Sequence, residues 1–191
     1  MARFSVIGTG NMGSAIAGLL ERGGAEVTRV SRDETGSAPL GDVVVLAVPY
    51  PALAEIVKAY GSQLDGKVVV DITNPLNFET FDSLVVSADG SAAAEVAQAV
   101  PGARVLKAFN TNFAATLAGG TVGDAPTTVL VAGDDADAKQ TLIDAITAGG
   151  ESAVDAGSLS RARELEAIGF LQLTLAASEK IGWTAGFNLF R

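Results

Sequence analysis

Short apolar runs alternate along the chain with longer stretches whose apolar positions recur at helical spacing. The strand-like runs are Phe4–Ile7, Glu26–Val30, Val43–Val48, Lys67–Ile72, Arg104–Ala108, Thr127–Ala132 and Ser152–Val154. Between them the spacing predicts helices over Asn11–Arg22, Pro51–Tyr60, Ala92–Val100, Ala136–Ala148 and Ser160–Ile181, with Asp134 or Asp135 and Ser158 or Ser160 as N-caps. Such alternation predicts an α/β fold, a doubly wound parallel sheet with right-handed crossovers. One connection breaks the rhythm. Only Ser31 to Gly41 separates the second and third strands, and Gly36, Pro39 and Gly41 make it poor helix material, so a loop or a single helical turn is expected there. Thr73 to Gly90 is the longest stretch without helical periodicity, and loops of that length in compact domains tend to be functional. The last helix carries Leu165, Ile168, Phe170, Leu171, Leu173 and Leu175 on more than one face. It must be buried on both sides or shared with a partner, and a homodimer is expected.

Composition narrows the chemistry. Hydrophobic residues make up 48% of the 191 positions and aromatics 6%, so the core is built from Ala, Val, Leu and Ile, as a buried parallel sheet requires. A net charge of −9 repels phosphate backbones and anionic lipid, which argues against nucleic-acid or membrane partners. The absence of cysteine and histidine removes disulfides, thiolate nucleophiles, zinc-thiolate sites and the commonest general acid and base. Asp155, Ser158 and Ser160 therefore form no hydrolytic triad. Asp134, Asp135 and Asp137 read as acids complementing a helix dipole, and no metal is expected. The start Met1-Ala2-Arg3 runs straight into the first strand, and Ala167–Ala177 is too short to span a bilayer. A cytoplasmic protein is expected.

The first strand runs into Gly8-Thr9-Gly10-Asn11-Met12-Gly13, a GxGxxG, and then a helix. Strand, glycine turn and helix together form a dinucleotide-binding opening. Gly8 permits the tight turn, Gly10 lets the backbone approach a pyrophosphate, and Gly13 lets the helix pack against the strand. An NAD-binding unit places an acid at the end of the second strand to receive the ribose hydroxyls; here Ser31-Arg32 stand there. A hydroxyl and a guanidinium suit a 2′-phosphate, while Asp33 and Glu34 beside them also permit an ordinary solvated turn. Ala47-Val48-Pro49-Tyr50 and Thr73-Asn74-Pro75 follow the third and fourth strands, at the carboxyl ends where open α/β sheets bind ligands. Pro49, which closes the Ala47-Val48-Pro49 run, is a candidate to flank a nicotinamide, and Thr73 and Asn74 to bond its ribose or carboxamide. Both segments also read as ordinary proline-terminated strands. Asn110 and Thr111 follow the fifth strand and either face the same crevice or open a helix. Tyr50, Pro75, Asn110 and Thr111 are the candidate acceptor-binding residues.

The ordered set Gly8–Gly13, Ser31-Arg32, Ala47–Tyr50, Lys107–Thr111, Ala132–Asp135 and Asp155–Leu159 through Arg161–Glu166 resembles the coenzyme F420-dependent NADP oxidoreductase family over essentially the whole chain. It is also similar to the cytosolic reductase domain of the Steap metalloreductases, and most like short bacterial dinucleotide-binding oxidoreductases. The resemblance implies a Rossmann domain over residues 1–155 and a helical extension over residues 156–191 that closes the cleft and takes part in dimerisation. It implies Thr9, Gly10, Asn11 and Met12 at the pyrophosphate, Ser31 and Arg32 at the 2′-phosphate, and Val48 and Pro49 near the nicotinamide. Deazaflavin-using relatives tend to carry histidine where Asn110 stands, whereas the Steap-like branch has Phe-Asn-Thr. The resulting expectation is an NADPH-dependent oxidoreductase that passes hydride to coenzyme F420 or a flavin, FMN or FAD, with no catalytic side chain beyond those that position the rings. An NADP(H)-binding sensor without turnover and a carbonyl or imine reductase using Tyr50 as proton donor are the alternatives.

Overall fold

The computed structural model describes residues 2–190. Strands β1 (Arg3–Ile7), β2 (Glu26–Val30), β3 (Val43–Leu46), β4 (Val68–Asp71) and β5 (Arg104–Lys107) pair in parallel, in the spatial order β2-β1-β3-β4-β5. A small hairpin, β6 (Thr121–Val122) and β7 (Ala125–Pro126), precedes β8 (Thr128–Gly133) and β9 (Ser152–Gly157), which complete a seven-stranded sheet. Helices α1 (Asn11–Arg22), α2 (Leu53–Tyr60), α3 (Ala92–Ala99), α4 (Ala114–Gly119), α5 (Ala136–Ala148) and α6 (Ala162–Ala177) cover it. This is a Rossmann-type α/β fold with a helical C-terminal portion.

The strand interiors alternate strictly between two cores. Phe4, Val6, Val43, Val45, Val68 and Val70 face α1, α4 and α5, while Ile7, Val44, Leu46 and Val69 face α2 and α3. Burial on both faces explains why these strands read as unbroken apolar runs. Each fully buried Val, Leu or Ile contributes about 1.5–3 kcal/mol.

The sheet is not wholly parallel. β8 runs antiparallel to β5, pairing Leu106 with Gly133 and Lys107 with Ala132, and β9 runs parallel to β8. The cause is the link from β5 to β8. Its only helix, α4, has six residues and advances about 9 Å, too little to carry the chain back past a four-residue strand before turning. The chain therefore re-enters the sheet from the end at which it left. The Ser31–Gly41 connection is a single 3-10 turn over Arg32–Glu34, and Asp135 caps α5 through Ala138 N–H at 2.7 Å, both as expected. The last helix is shorter than the periodicity predicts. A 3-10 turn occupies Leu159–Arg161, α6 ends at Ala177, and the segment beyond folds back, with Phe187 N–H on Gln172 Oε1 at 3.0 Å. Among the described residues no helix is long and apolar enough to cross a membrane.

One buried carboxyl makes stability pH-dependent. Glu151 is almost wholly enclosed, neither carboxyl oxygen has a hydrogen-bond partner among the described residues, and Arg22 lies 3.6 Å away. Burial pushes its pKa up to about 7, against the pull of Arg22. A folded-state pKa above the unfolded value gives stability that is complete below about pH 4.5 and lost as pH rises through 7. The loss is about 3 kcal/mol at pH 8. Glu151→Gln is expected to match the parent at pH 5 and to melt higher at pH 8, as thermal unfolding at the two pH values will show. A lower melting temperature at pH 8 would mean that Glu151 works as a charged partner of Arg22.

Candidate functional site

The turn between β1 and α1 is shaped by glycine. Gly8 has φ +110° and donates its N–H to Val30 O at 2.9 Å, tying the turn to the end of β2. A Cβ on Gly8 would overlap the Ala47 carbonyl oxygen, and one on Gly13 the carbonyl oxygen of Gly8. Gly10 is different: a Cβ there would meet nothing within 4 Å. It is also the N-cap of α1, with no side chain capping the helix and no acid in the first turn. The first-turn N–H groups of Asn11, Met12 and Gly13 thus lack a side-chain partner where a pyrophosphate would lie. Ala47 N–H bonds Ile7 O at 2.8 Å, which sets Ala47, Val48 and exposed Pro49 alongside this turn. Thr9 is exposed, its carbonyl accepting from Ser14 Oγ at 3.3 Å.

Ser31 and Arg32 stand at the end of β2. The Arg32 side chain is exposed and takes part in no ion pair among the described residues. Ser31 is engaged by Glu34, which closes a capping box over the 3-10 turn.

Beneath the crevice lies a buried charge cluster. Lys107, at the end of β5, has its Nζ 2.8 Å from Asp71 Oδ2 on β4 and 2.8 Å from Glu166 Oε1 on α6, and donates to the Thr73 carbonyl. All three charged side chains are 1% exposed or less. Asp71 Oδ1 accepts the Thr73 N–H at 2.8 Å, and Glu166 accepts the Ala92 N–H at 3.0 Å at the start of α3. Burial raises the Glu166 pKa, while Lys107 and the Ala92 N–H hold it down. The cluster joins β4, β5, α3 and α6 and fixes the Thr73-Asn74 turn by both its N–H and its carbonyl. Sequence reasoning missed it. The available signal was charge inside apolar strands, Asp71 and Lys107, and Glu166 at core spacing with Leu165 and Gly169.

Asn74 and Asn110 form a reciprocal pair. Asn74 Nδ2 donates to the Asn110 carbonyl and Asn110 Nδ2 to Asn74 Oδ1, both at 2.9 Å, and Asn110 Nδ2 also reaches Leu165 O at 2.8 Å. The Asn110 amide nitrogen is therefore fully used within the protein, while its Oδ1 is buried without a partner among the described residues. Gly169 on α6 is required here, because a Cβ would overlap Asn74 Oδ1. Phe109, just before, holds a left-handed φ of +63° in full burial, a strained backbone of the kind that clusters at working sites.

These elements enclose a cleft of about 380 Å³ next to the glycine turn. Asn11, Asn74, Asn110 and Asn112 give it an amide-bearing side; Met12, Ile72, Phe113, Leu173 and Trp183 give it an apolar side. No ionisable side chain lines it among the described residues. Trp183 stacks on Phe113 with ring centroids 5.0 Å apart. Nothing in the sequence pattern tells what this lone tryptophan packs against. Three candidate acceptor residues stand elsewhere. Thr111 lines a separate apolar groove with Leu130, Ile168 and Leu171, because the bend after Phe109 turns it toward β8. Pro75 is buried, its carbonyl taking the Val85 N–H at 2.7 Å. Tyr50 donates its hydroxyl to Glu95 Oε2 at 2.8 Å, and burial together with that carboxylate pushes its pKa up to about 12. Its proton is held on Glu95, and Tyr50 does not line the cleft.

Comparison with known proteins bears on the fold and the family. Residues 37–75 match the family described as NADP oxidoreductase, coenzyme F420-dependent. The F420-dependent NADP reductase of Methanocaldococcus jannaschii is 32% identical over 154 residues, covering 78% of this chain and 69% of that protein. Metalloreductase STEAP3 of Rattus norvegicus is 33% identical over 83% of this chain, which spans only 30% of the length of that protein. Among solved structures, a candidate F420-dependent NADP-reductase from Arthrobacter sp. FB24 superposes over all of both chains, with a TM-score of 0.85 and 25% identity. On this shared sequence and fold, the chain belongs to the coenzyme F420-dependent NADP oxidoreductase family and is an NADP(H)-dependent oxidoreductase.

Proposed function

We propose that the chain transfers hydride between NADP(H) and a planar ring acceptor, coenzyme F420 or a flavin such as FMN or FAD, seated in the Asn74–Asn110 cleft. The cofactor lies along Gly8–Gly13 with its 2′-phosphate at Ser31 and Arg32 and its nicotinamide beside Ala47, Val48 and Pro49. One observation carries the reading: among the described residues, the cleft beside the glycine turn is lined by amides and apolar groups alone. Hydride transfer between two rings needs no protein acid or base, only rings held about 3–3.5 Å apart with water excluded. Reduction of a carbonyl or imine needs a proton donor, and Tyr50 is committed to Glu95. The bound acceptor supplies the electrophilic ring atom, a carbon in the deazaflavin and a nitrogen in a flavin; this chain supplies position. Residues from 156 onward close over the cleft through Leu173 and Trp183.

Arg32→Ala is expected to weaken NADPH binding by about 1.5–3 kcal/mol, roughly ten- to a hundredfold, with little effect on NADH. Titration calorimetry with both cofactors checks this. Unchanged NADPH affinity in the Arg32→Ala variant would overturn the 2′-phosphate assignment.

The same reading includes a homodimer through the outer side of α6. Leu171 is 50% exposed there, beside half-exposed Phe187 and Leu189, while Leu173 points into the cleft. Leu171→Glu is expected to convert a dimer into monomers by light scattering at micromolar concentration. A monomeric parent protein would contradict the assembly.

A further inference from the structure

We propose that Glu34 sets the cofactor preference of this chain: its carboxylate occupies the Ser31 donors that a 2′-phosphate requires, so NADP(H) binds only by displacing it. The inference rests on the reading of Ser31 and Arg32 as the 2′-phosphate seat.

Ser31 offers two donors, one N–H and one O–H. Both are on the same atom, Glu34 Oε2, the N–H at 2.9 Å and the hydroxyl at 2.5 Å. Those bonds hold the Glu34 carboxyl below the usual carboxylate range, so it is charged at neutral pH. A 2′-phosphate carries about −1.5 to −2 charges at pH 7 and seeks the same donors. Both anions cannot share Ser31, and the repulsion between them adds to the competition. Glu34 is exposed and sits in a single 3-10 turn, so its side chain can swing into solvent. Arg32 then holds the phosphate with the released Ser31. With NAD(H) nothing displaces Glu34, and its carboxylate stays at the end of β2 to accept the ribose 2′-hydroxyl, as an acid in that place does in NAD-binding units. The consequence is a chain that uses both cofactors, with a phosphate preference smaller than Ser31 and Arg32 would give by themselves.

Asp33 provides the control. It is the adjacent exposed carboxylate in the same turn and makes no bond to Ser31. Dissociation constants for NADPH and NADH are to be measured on the parent chain and on Glu34→Gln, Glu34→Ala and Asp33→Asn, with circular dichroism confirming that each variant is folded. Glu34→Gln is expected to tighten NADPH about tenfold and leave NADH within about twofold, Glu34→Ala to tighten NADPH and weaken NADH, and Asp33→Asn to change NADPH by less than about threefold. Unchanged or weaker NADPH binding in Glu34→Gln, or an equal gain in Asp33→Asn, overturns the inference while the seat itself stands. An Arg32→Ala variant that binds NADPH as tightly as the parent removes the seat, and the inference with it.

Discussion

Lys107→Met is expected to cost about 3–5 kcal/mol of stability, against a total of about 5–15 kcal/mol for a domain of this kind. The side chains are similar in length, so the loss is electrostatic. Asp71 and Glu166 would remain buried with no cation between them, and the Thr73 carbonyl would lose its donor. Chemical denaturation at pH 7 reads the loss. Neutralising both carboxylates in the same chain, as Lys107→Met/Asp71→Asn/Glu166→Gln, is expected to recover most of the stability, because no stranded charge is left. It is not expected to recover turnover. The Thr73-Asn74 turn would still lack its Lys107 anchor, and Asn74 would lose its fixed register with Asn110. Full activity in the neutral triple variant would show that the cluster serves folding alone.

Gly13→Ala should have the largest effect on the cofactor site. The added methyl would sit on the Gly8 carbonyl oxygen and against the Ala47 side chain, so α1 must move away from β1 and take the first-turn N–H groups with it. NADPH affinity is expected to fall at least about a hundredfold, or about 3 kcal/mol, with the overall fold retained. Gly10→Ala is the contrast, since a methyl there meets only open space in the protein and would collide with the pyrophosphate. It is expected to leave thermal stability unchanged while lowering affinity for NADPH and NADH alike. Equal loss of stability in both variants would mean that the turn's glycines serve packing rather than ligand approach.

The glycine turn, the succession of strands and helices up to β5 and the placement of Thr73, Asn74 and Asn110 at strand ends were legible because local rules govern them. Short unbroken apolar runs, a GxGxxG after a strand and a breaker-rich Ser31–Gly41 segment each have one simple structural outcome. The reversal at β8 was not legible, since it depends on how far α4 carries the chain, and the six-residue helix has too little periodicity to be seen. Side-chain direction also escaped. Thr111 follows Asn110 directly, yet the left-handed Phe109 turns it toward another groove. Tyr50 sits at a strand end as expected, but Glu95, forty-five positions away, claims its hydroxyl. The Lys107 cluster and the Phe113–Trp183 stack are contacts between distant segments, which no single-sequence pattern encodes.

Hydride is expected to pass between rings positioned by neutral groups. Rapid mixing of NADPH-loaded protein with the deazaflavin, FMN and FAD in turn, following nicotinamide and acceptor absorbance together, tests it most directly. With at least one acceptor the two signals are expected to change in a single shared step, faster than without protein. Its rate should show no titration between about pH 6 and pH 8, because no group lining the cleft changes charge there. Failure of all three acceptors to be reduced faster than in the absence of protein would contradict it and leave a protein that binds NADP(H) without turning it over.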